Sequence, residues 1–323
     1  MGIDNKKVVI VAAIVIAIVG IIITSVALQG QNSGSSSSSS SSSSINATPP
    51  ENYTQPLQDA SRRLKIMATF YPLYEFSKVI VGDKADVDLF IPSGLEPHDW
   101  EPSARDLERL KDYQLLVYNS VTFEPYMDRI RDLGYDLKMV EAAKGIMLDQ
   151  DPHVWLDPVL AKEQVRMILD AIASMDEENS RYYDGNARAY MARLDELHAM
   201  FEEGLRECER REFITLHGAY NYLASRYGLE QITIAGLEPE HDIPAVKIKE
   251  IIDMARKHGI DVVYAEEGID DRLVRALAEE INARVLTLSP IEVLDDEDLK
   301  EGKTYITKME ENLANLRIGL GCR

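Results

Sequence analysis

The stretch from Asp176 to Glu209, DEENSRYYDGNARAYMARLDELHAMFEEGLRECE, decides the architecture. A helical period runs through Tyr183, Ala187, Tyr190, Leu194, Leu197, Phe201 and Leu205, and no proline interrupts it. Gly185 and Gly204 are costs that a helix of this length tolerates. At ~1.5 Å per residue, about 30 helical residues make a rod roughly 45 Å long. That is longer than a crossover helix and predicts a rod spanning two domains.

On both sides of the rod, short apolar runs alternate with amphipathic stretches. Lys65 to Phe70, Val87 to Ile91 and Leu115 to Tyr118 precede it; Phe213 to Leu216, Gln231 to Ile234, Val262 to Ala265 and Val285 to Leu288 follow it. The alternation predicts an α/β fold of two (β/α) lobes with parallel-type sheets. Pro158 opens a helix expected to reach about Met175, and others start from Pro244, Asp270 and Thr304. The expected order is an N-terminal lobe over 62–175, the linking helix over 176–209 and a C-terminal lobe over 210–323. At 323 residues the chain is long enough for two cores that need no disulfide.

Ahead of the lobes, the run from Val8 to Leu28 carries no charge, and at ~1.5 Å per residue it spans roughly 31 Å, one hydrocarbon core. Lys6 and Lys7 precede it, so residues 1–7 are expected in the cytoplasm and everything after Leu28 outside. Ser25-Val26-Ala27 resembles a cleavage site, which leaves a signal peptide as the alternative; the length of the apolar run favours an uncleaved anchor. Residues 29–61, with serine throughout 35–44, read as a flexible linker. Asn46 and Asn52 each head a glycosylation sequon.

The formal charge of −20 argues against a nucleic-acid partner, since phosphate binding needs clustered Lys and Arg, and suits a surface that attracts cations. The two cysteines, Cys208 and Cys322, form no Cys-x-x-Cys pair. The residues alone leave open a long-range disulfide or two unrelated thiols.

Four residues share one topological position, just beyond a predicted strand. His98 lies in Gly94-Leu95-Glu96-Pro97-His98-Asp99-Trp100-Glu101-Pro102, a loop stiffened by prolines and followed by a helix start at Ser103. His153 follows Asp151-Pro152, His217 sits between Leu216 and Gly218, and Glu292 ends Pro290-Ile291-Glu292. Singly, each reads as an ordinary loop residue. In open α/β sheets, however, ligands bind beyond the carboxyl ends of the strands. Two facing lobes would bring three imidazoles and one carboxylate together in the cleft, a full shell for a borderline divalent metal, zinc above all. A bidentate Glu292 would also suit manganese or iron.

Asp99, Glu101 and Asp157 are expected either to accept the imidazoles' other N–H or to be structural. Trp100 and Trp155, each two residues past a site histidine, either wall the site or simply pack. The acidic run Asp295 to Asp298 reads as a solvated turn. His198 and His258 are set aside as helix residues, and His241 is ambiguous. A zinc hydrolase using Glu292 as base is the alternative from another class, but the chain has no His-Glu-x-x-His; nor does it carry a P-loop.

From about Leu64 to Cys322 the chain resembles the zinc and manganese substrate-binding proteins of ABC importers, the cluster A-I type of ZnuA and TroA. Ala68-Thr69-Phe70-Tyr71-Pro72-Leu73 resembles the family's opening strand, and the His98 loop its first ligand loop. Asp151 to Pro158 resembles the second ligand motif, and Phe213 to Tyr220 with Tyr227-Gly228-Leu229 the third. Leu288-Ser289-Pro290-Ile291-Glu292 is similar to the fourth, in which glutamate binds metal. The resemblance implies two lobes on one long backbone helix with the metal site between them. It also implies capture of the ion outside the cytoplasm and delivery to a permease driven by a separate ATPase; the filled four-ligand shell, which leaves no position for an activated water, predicts no catalysis. A monomer is expected, an adhesin role is a further possibility of the same fold, and a Cys208–Cys322 disulfide is implied. Three departures stand out: His241 within Glu238 to Pro244, no His-rich loop over Ala142 to Gln150, and a helical anchor in place of a lipid.

Overall fold

A computed structural model describes residues 63–237, 243–267 and 269–323. The expected membrane span at 8–28, the linker at 29–61, both sequons and His241 lie outside these residues. Among the described residues no helix is long and apolar enough to cross a membrane.

The N-terminal lobe is a four-stranded sheet of β1 (Lys65–Ala68), β2 (Asp86–Leu89), β3 (Leu115–Tyr118) and β4 (Lys138–Glu141). All pairings are parallel and the order is β2-β1-β3-β4. Helices α1 (Tyr71–Val81), α2 (Ala104–Arg109) and α3 (Met127–Asp132) connect the strands. α4 (Pro158–Met175) and the rod α5 (Ser180–Gly204) then lead to the second lobe. There β5 (Glu212–Thr215), α6 (Asn221–Tyr227), β6 (Glu230–Thr233), α7 (Ala245–His258), β7 (Val262–Ala265), α8 (Arg272–Ile281), β8 (Arg284–Thr287), α9 (Asp296–Glu301) and α10 (Tyr305–Leu320) repeat the plan. The order is again parallel, β6-β5-β7-β8.

Central strands β3 and β7 are buried along their whole length, as parallel strands covered on both faces must be. Edge strand β4 escapes sequence inspection because it is short and partly exposed, with a charged residue at each end.

Every residue on the apolar stripe of the rod is buried, from Tyr183 to Leu205. The helix has 25 residues rather than about 30, so at ~1.5 Å each it is roughly 37 Å long. Its start is delayed because Asp176 leaves helical geometry at φ −139° and its carboxylate accepts from the Asn179 amide (3.3 Å) and the Tyr183 hydroxyl (2.5 Å). It ends at Gly204, where a Cβ would stand 3.2 Å from Leu313 of α10. Beyond it, a disulfide joins Cys208 to Cys322.

The rod is fastened to both lobes by Glu75 of α1. That buried carboxylate accepts from the Tyr71 hydroxyl, the Tyr190 hydroxyl on the rod and the Tyr305 amide at the start of α10, each at 2.6 Å. The acidic run is not simply solvated. Asp295 caps α9 by accepting from the amides of Glu297 and Asp298, and Asp298 is buried against Lys303 (2.9 Å) and Lys308 (3.2 Å). The buried Lys308 ammonium also holds Glu267, because a charge removed from water needs partners.

Candidate metal centre

The four candidate residues converge from loops at the carboxyl ends of β2, β4, β5 and β8. His98 Nε2 and His153 Nε2 are 3.4 Å apart, and Glu292 Oε1 lies 3.5 Å from each of them and 3.8 Å from His217 Nε2. One ligand-type atom from each of the four lies within 4.8 Å of the others. A tetrahedral zinc with bonds of ~2.0–2.1 Å has edges of roughly 3.3 Å, so the cluster already stands near the required size. His217 Nε2 and both Glu292 carboxylate oxygens are buried without a hydrogen-bond partner. Buried polar atoms are normally paired, so these unpartnered atoms fit a bound cation.

Each donor is held by its own support. Asp151 Oδ1 accepts from His153 Nδ1 at 2.7 Å and from the His153 amide at 3.0 Å. Glu266, directly after β7, accepts from the His217 amide at 3.1 Å and from His217 Nδ1. Both rings therefore carry the proton on Nδ1 and present Nε2 to the cluster, the arrangement found behind metal-binding histidines. Asn119 donates to Pro152 O at 2.8 Å and fixes the His153 loop from below. The edge of Phe123 meets His98, with ring centroids 4.9 Å apart.

Glu292 is aimed by a strained turn. Ile291 has φ +59°, a conformation that a β-branched residue adopts only when its surroundings impose it. Trp155 donates from Nε1 to Pro290 O at 2.7 Å, and Ser289 exchanges two hydrogen bonds with Asn312, at 2.8 and 2.7 Å.

The electrostatics follow from burial and this carboxylate. Burial lowers the His153 pKa below its ordinary value despite the Asp151 hydrogen bond. Burial opposes protonation of His217 too, but Glu266 and Glu292 override it and raise the pKa to about 10. His98 is also raised, with Glu292 outweighing burial. Glu292 itself is held well below the carboxylate range: burial pushes it up, and His98 and His217 pull it down further. Glu96, whose carboxylate accepts from the His98 amide at 3.2 Å, is pushed up to about 8 by burial and by Glu292.

Three alternatives that the sequence leaves open are decided here. The carboxylates that orient imidazoles are Asp151 and Glu266, not Asp99 or Glu101; Glu101 lies 3.5 Å from Arg129, away from the cluster. Asp157 is structural: it caps α4 through the Val159 amide (2.9 Å) and grips Arg226 of the other lobe. Trp100 packs on Phe90 and Tyr126 beneath the N-terminal sheet, so Trp155 and Phe123 are the aromatic walls of the site. Glu266 occupies the same strand-end position that marks the four cluster residues, and that signal would have found it. The histidines set aside stay outside the cluster, with His198 Nδ1 3.0 Å from the Tyr227 hydroxyl and His258 2.6 Å from Glu212.

Two parallel α/β lobes, a connecting rod and a buried cluster of three imidazoles and one carboxylate between them define a cleft-type binding protein suited to a divalent metal. The chain belongs to the family described as zinc-uptake complex component A, periplasmic, whose family model matches residues 66–319. The high-affinity zinc uptake system protein ZnuA of Bacillus subtilis is 38% identical over 281 residues, which are 80% of this chain and 88% of that protein. The zinc-binding lipoprotein AdcA of Streptococcus pneumoniae is 35% identical over 80% of this chain, which spans 56% of the relative's length. The crystal structure of the Zn(II)-bound ZnuA-like domain of that AdcA superposes with a TM-score of 0.73 at 36% identity, covering 80% of this chain and 99% of the domain.

Proposed function

We propose that this chain captures zinc outside the cytoplasm with His98, His153, His217 and Glu292 and delivers it to an ABC-type permease driven by a separate ATPase. The observation that carries the reading is the convergence of three imidazoles and one carboxylate within 4.8 Å of one another, with His217 Nε2 and both Glu292 oxygens buried without partners. Membership in a zinc-uptake family supports it. Three nitrogens and one oxygen favour zinc over manganese or iron by ligand softness and the Irving–Williams order.

The chain acts as a receptor and not an enzyme. Four protein donors fill a tetrahedral shell and leave no position for an activated water. The apolar run at 8–28 anchors a monomer to the membrane, with both lobes on the outer side, where the Cys208–Cys322 disulfide is stable.

Calorimetry of the metal-stripped full chain, held in mild detergent and titrated with zinc and manganese in competition, tests this. One zinc per chain, displacing manganese, is the expected result. Tighter manganese binding, or zinc affinity unchanged in His217→Ala, would overturn it.

A further inference from the structure

The loop that carries His153 is bolted to the opposite lobe by the start of α6, the helix that follows His217. Leu148, Asp149, Gln150 and Asp151 form a tight turn closed by the Asp151 amide on Leu148 O at 3.0 Å. Its two central residues both take positive φ, 49° at Asp149 and 65° at Gln150, without being glycine. Such a conformation persists only where the surroundings hold it.

Those surroundings come from across the cleft. The hydroxyl of Tyr222, on α6 of the C-terminal lobe, accepts from the Leu148 amide at 2.7 Å and donates to Asp151 O at 2.8 Å. Its ring is buried with Ala143 and Val154 of the N-terminal lobe. The neighbouring Asn221 donates from its side-chain amide to Asp151 Oδ2 at 2.9 Å and to Gly218 O at 2.9 Å. Asp151 thus holds the His153 ring with one carboxylate oxygen and the far lobe with the other.

We infer that the turn from Leu148 to Asp151 is a latch across the cleft: Asn221 and Tyr222, in the segment that follows His217, hold the carboxylate and backbone that orient His153. The two imidazoles are positioned as one unit, and metal leaves only when the latch opens. The inference rests on the zinc-capture reading above. Asn221 and Tyr222 are positioning residues that do not touch the ion; they act through Asp151.

The prediction concerns release and not capture, because the latch bonds must break before the His153 ring can swing away from the ion. Full-length chain loaded with zinc is mixed with excess chelator, and release is followed in wild type, Asn221→Ala and Tyr222→Phe. Asn221 is exposed and Phe keeps the buried ring, so both substitutions spare the cores. Supports behind metal-binding histidines are worth ~10- to 100-fold in affinity, and release is expected to quicken by about tenfold or more in each variant. Capture rates stay within about twofold, and the Leu148 amide loses hydrogen-exchange protection in Tyr222→Phe. Unchanged release in both variants, or faster release that merely tracks a loss of metal-free stability, would overturn the latch while leaving zinc capture intact. A wild-type chain that takes up no zinc would overturn the capture reading and the latch with it.

Discussion

Glu266 accepts from two donors of His217, the backbone amide at 3.1 Å and the ring Nδ1–H. One carboxylate thereby sets the position, the rotation and the tautomer of the imidazole, and Nε2 is left facing Glu292. Glu266→Ala is predicted to weaken zinc binding by ~10- to 100-fold, with a smaller loss in Glu266→Gln, whose amide oxygen still accepts one hydrogen bond. Competition against a zinc-sensitive dye checks it. Equal affinity in all three chains would remove Glu266 from the site.

At the proposed site, zinc would compete with protons for the same nitrogens. With the His217 pKa raised to about 10 and His98 also raised, zinc must displace protons at neutral pH. Calorimetry in buffers of different ionisation heat should show net proton release at pH 7.5, and apparent zinc affinity should climb as pH rises towards 10. Titrations that give the same heat in every buffer would contradict the protonation pattern.

The same proton affects the metal-free fold. A raised folded pKa stabilises below the ordinary value of 6.5, and the contribution is lost as pH rises through about 10. The melting temperature of metal-free wild type should therefore exceed that of metal-free His217→Gln most at or below pH 6.5. The gap should close towards pH 10, and a gap that widens with pH would reverse the sign assigned to this residue.

Glu75 is predicted to matter to the assembly of the lobes and not to the metal. Glu75→Ala leaves two tyrosine hydroxyls and the Tyr305 amide without their shared acceptor in the interior. At roughly 1–3 kcal/mol for each unpaired buried group, a loss of at least ~3 kcal/mol in denaturant unfolding is expected. Stability within ~1 kcal/mol of wild type would show that water replaces the carboxylate.

The disulfide lies at the other end of β5 from His217. Joining residues 114 apart, it should stabilise the chain by ~2–5 kcal/mol. Reduction, or Cys208→Ser with Cys322→Ser, should lower the melting temperature and leave zinc affinity unchanged. Affinity that falls along with stability would tie the C-terminal segment to the site.

Strong local signals were legible. The stripe from Tyr183 to Leu205 is buried as its period requires, and the fully buried β3 and β7 match their apolar runs residue for residue. Ser103 and Thr304 start helices with capping boxes, and Pro158 opens α4. His98, His153, His217 and Glu292 could be picked out together because each stands beyond a strand end. Edge strand β4 was missed, since a short, half-exposed strand carries little pattern. Asp151 and Glu266 were passed over for Asp99 and Glu101, because which carboxylate meets an imidazole depends on ring rotation and loop path, not on distance along the chain.

The sequence by itself determined two parallel α/β lobes, the rod between them and the four residues that meet in the cleft, because periodicity and strand-end position are properties of neighbouring residues. Only the tertiary structure decided how those four are held. The supports of the site join residues far apart in the chain: Glu266 with His217, Trp155 with Pro290, Asp151 with Asn221, and Glu75 with Tyr190 and Tyr305. The first pair comes from neighbouring strands of one sheet and the others from elements that close on one another, where buried polar groups must find partners, and no local pattern records either.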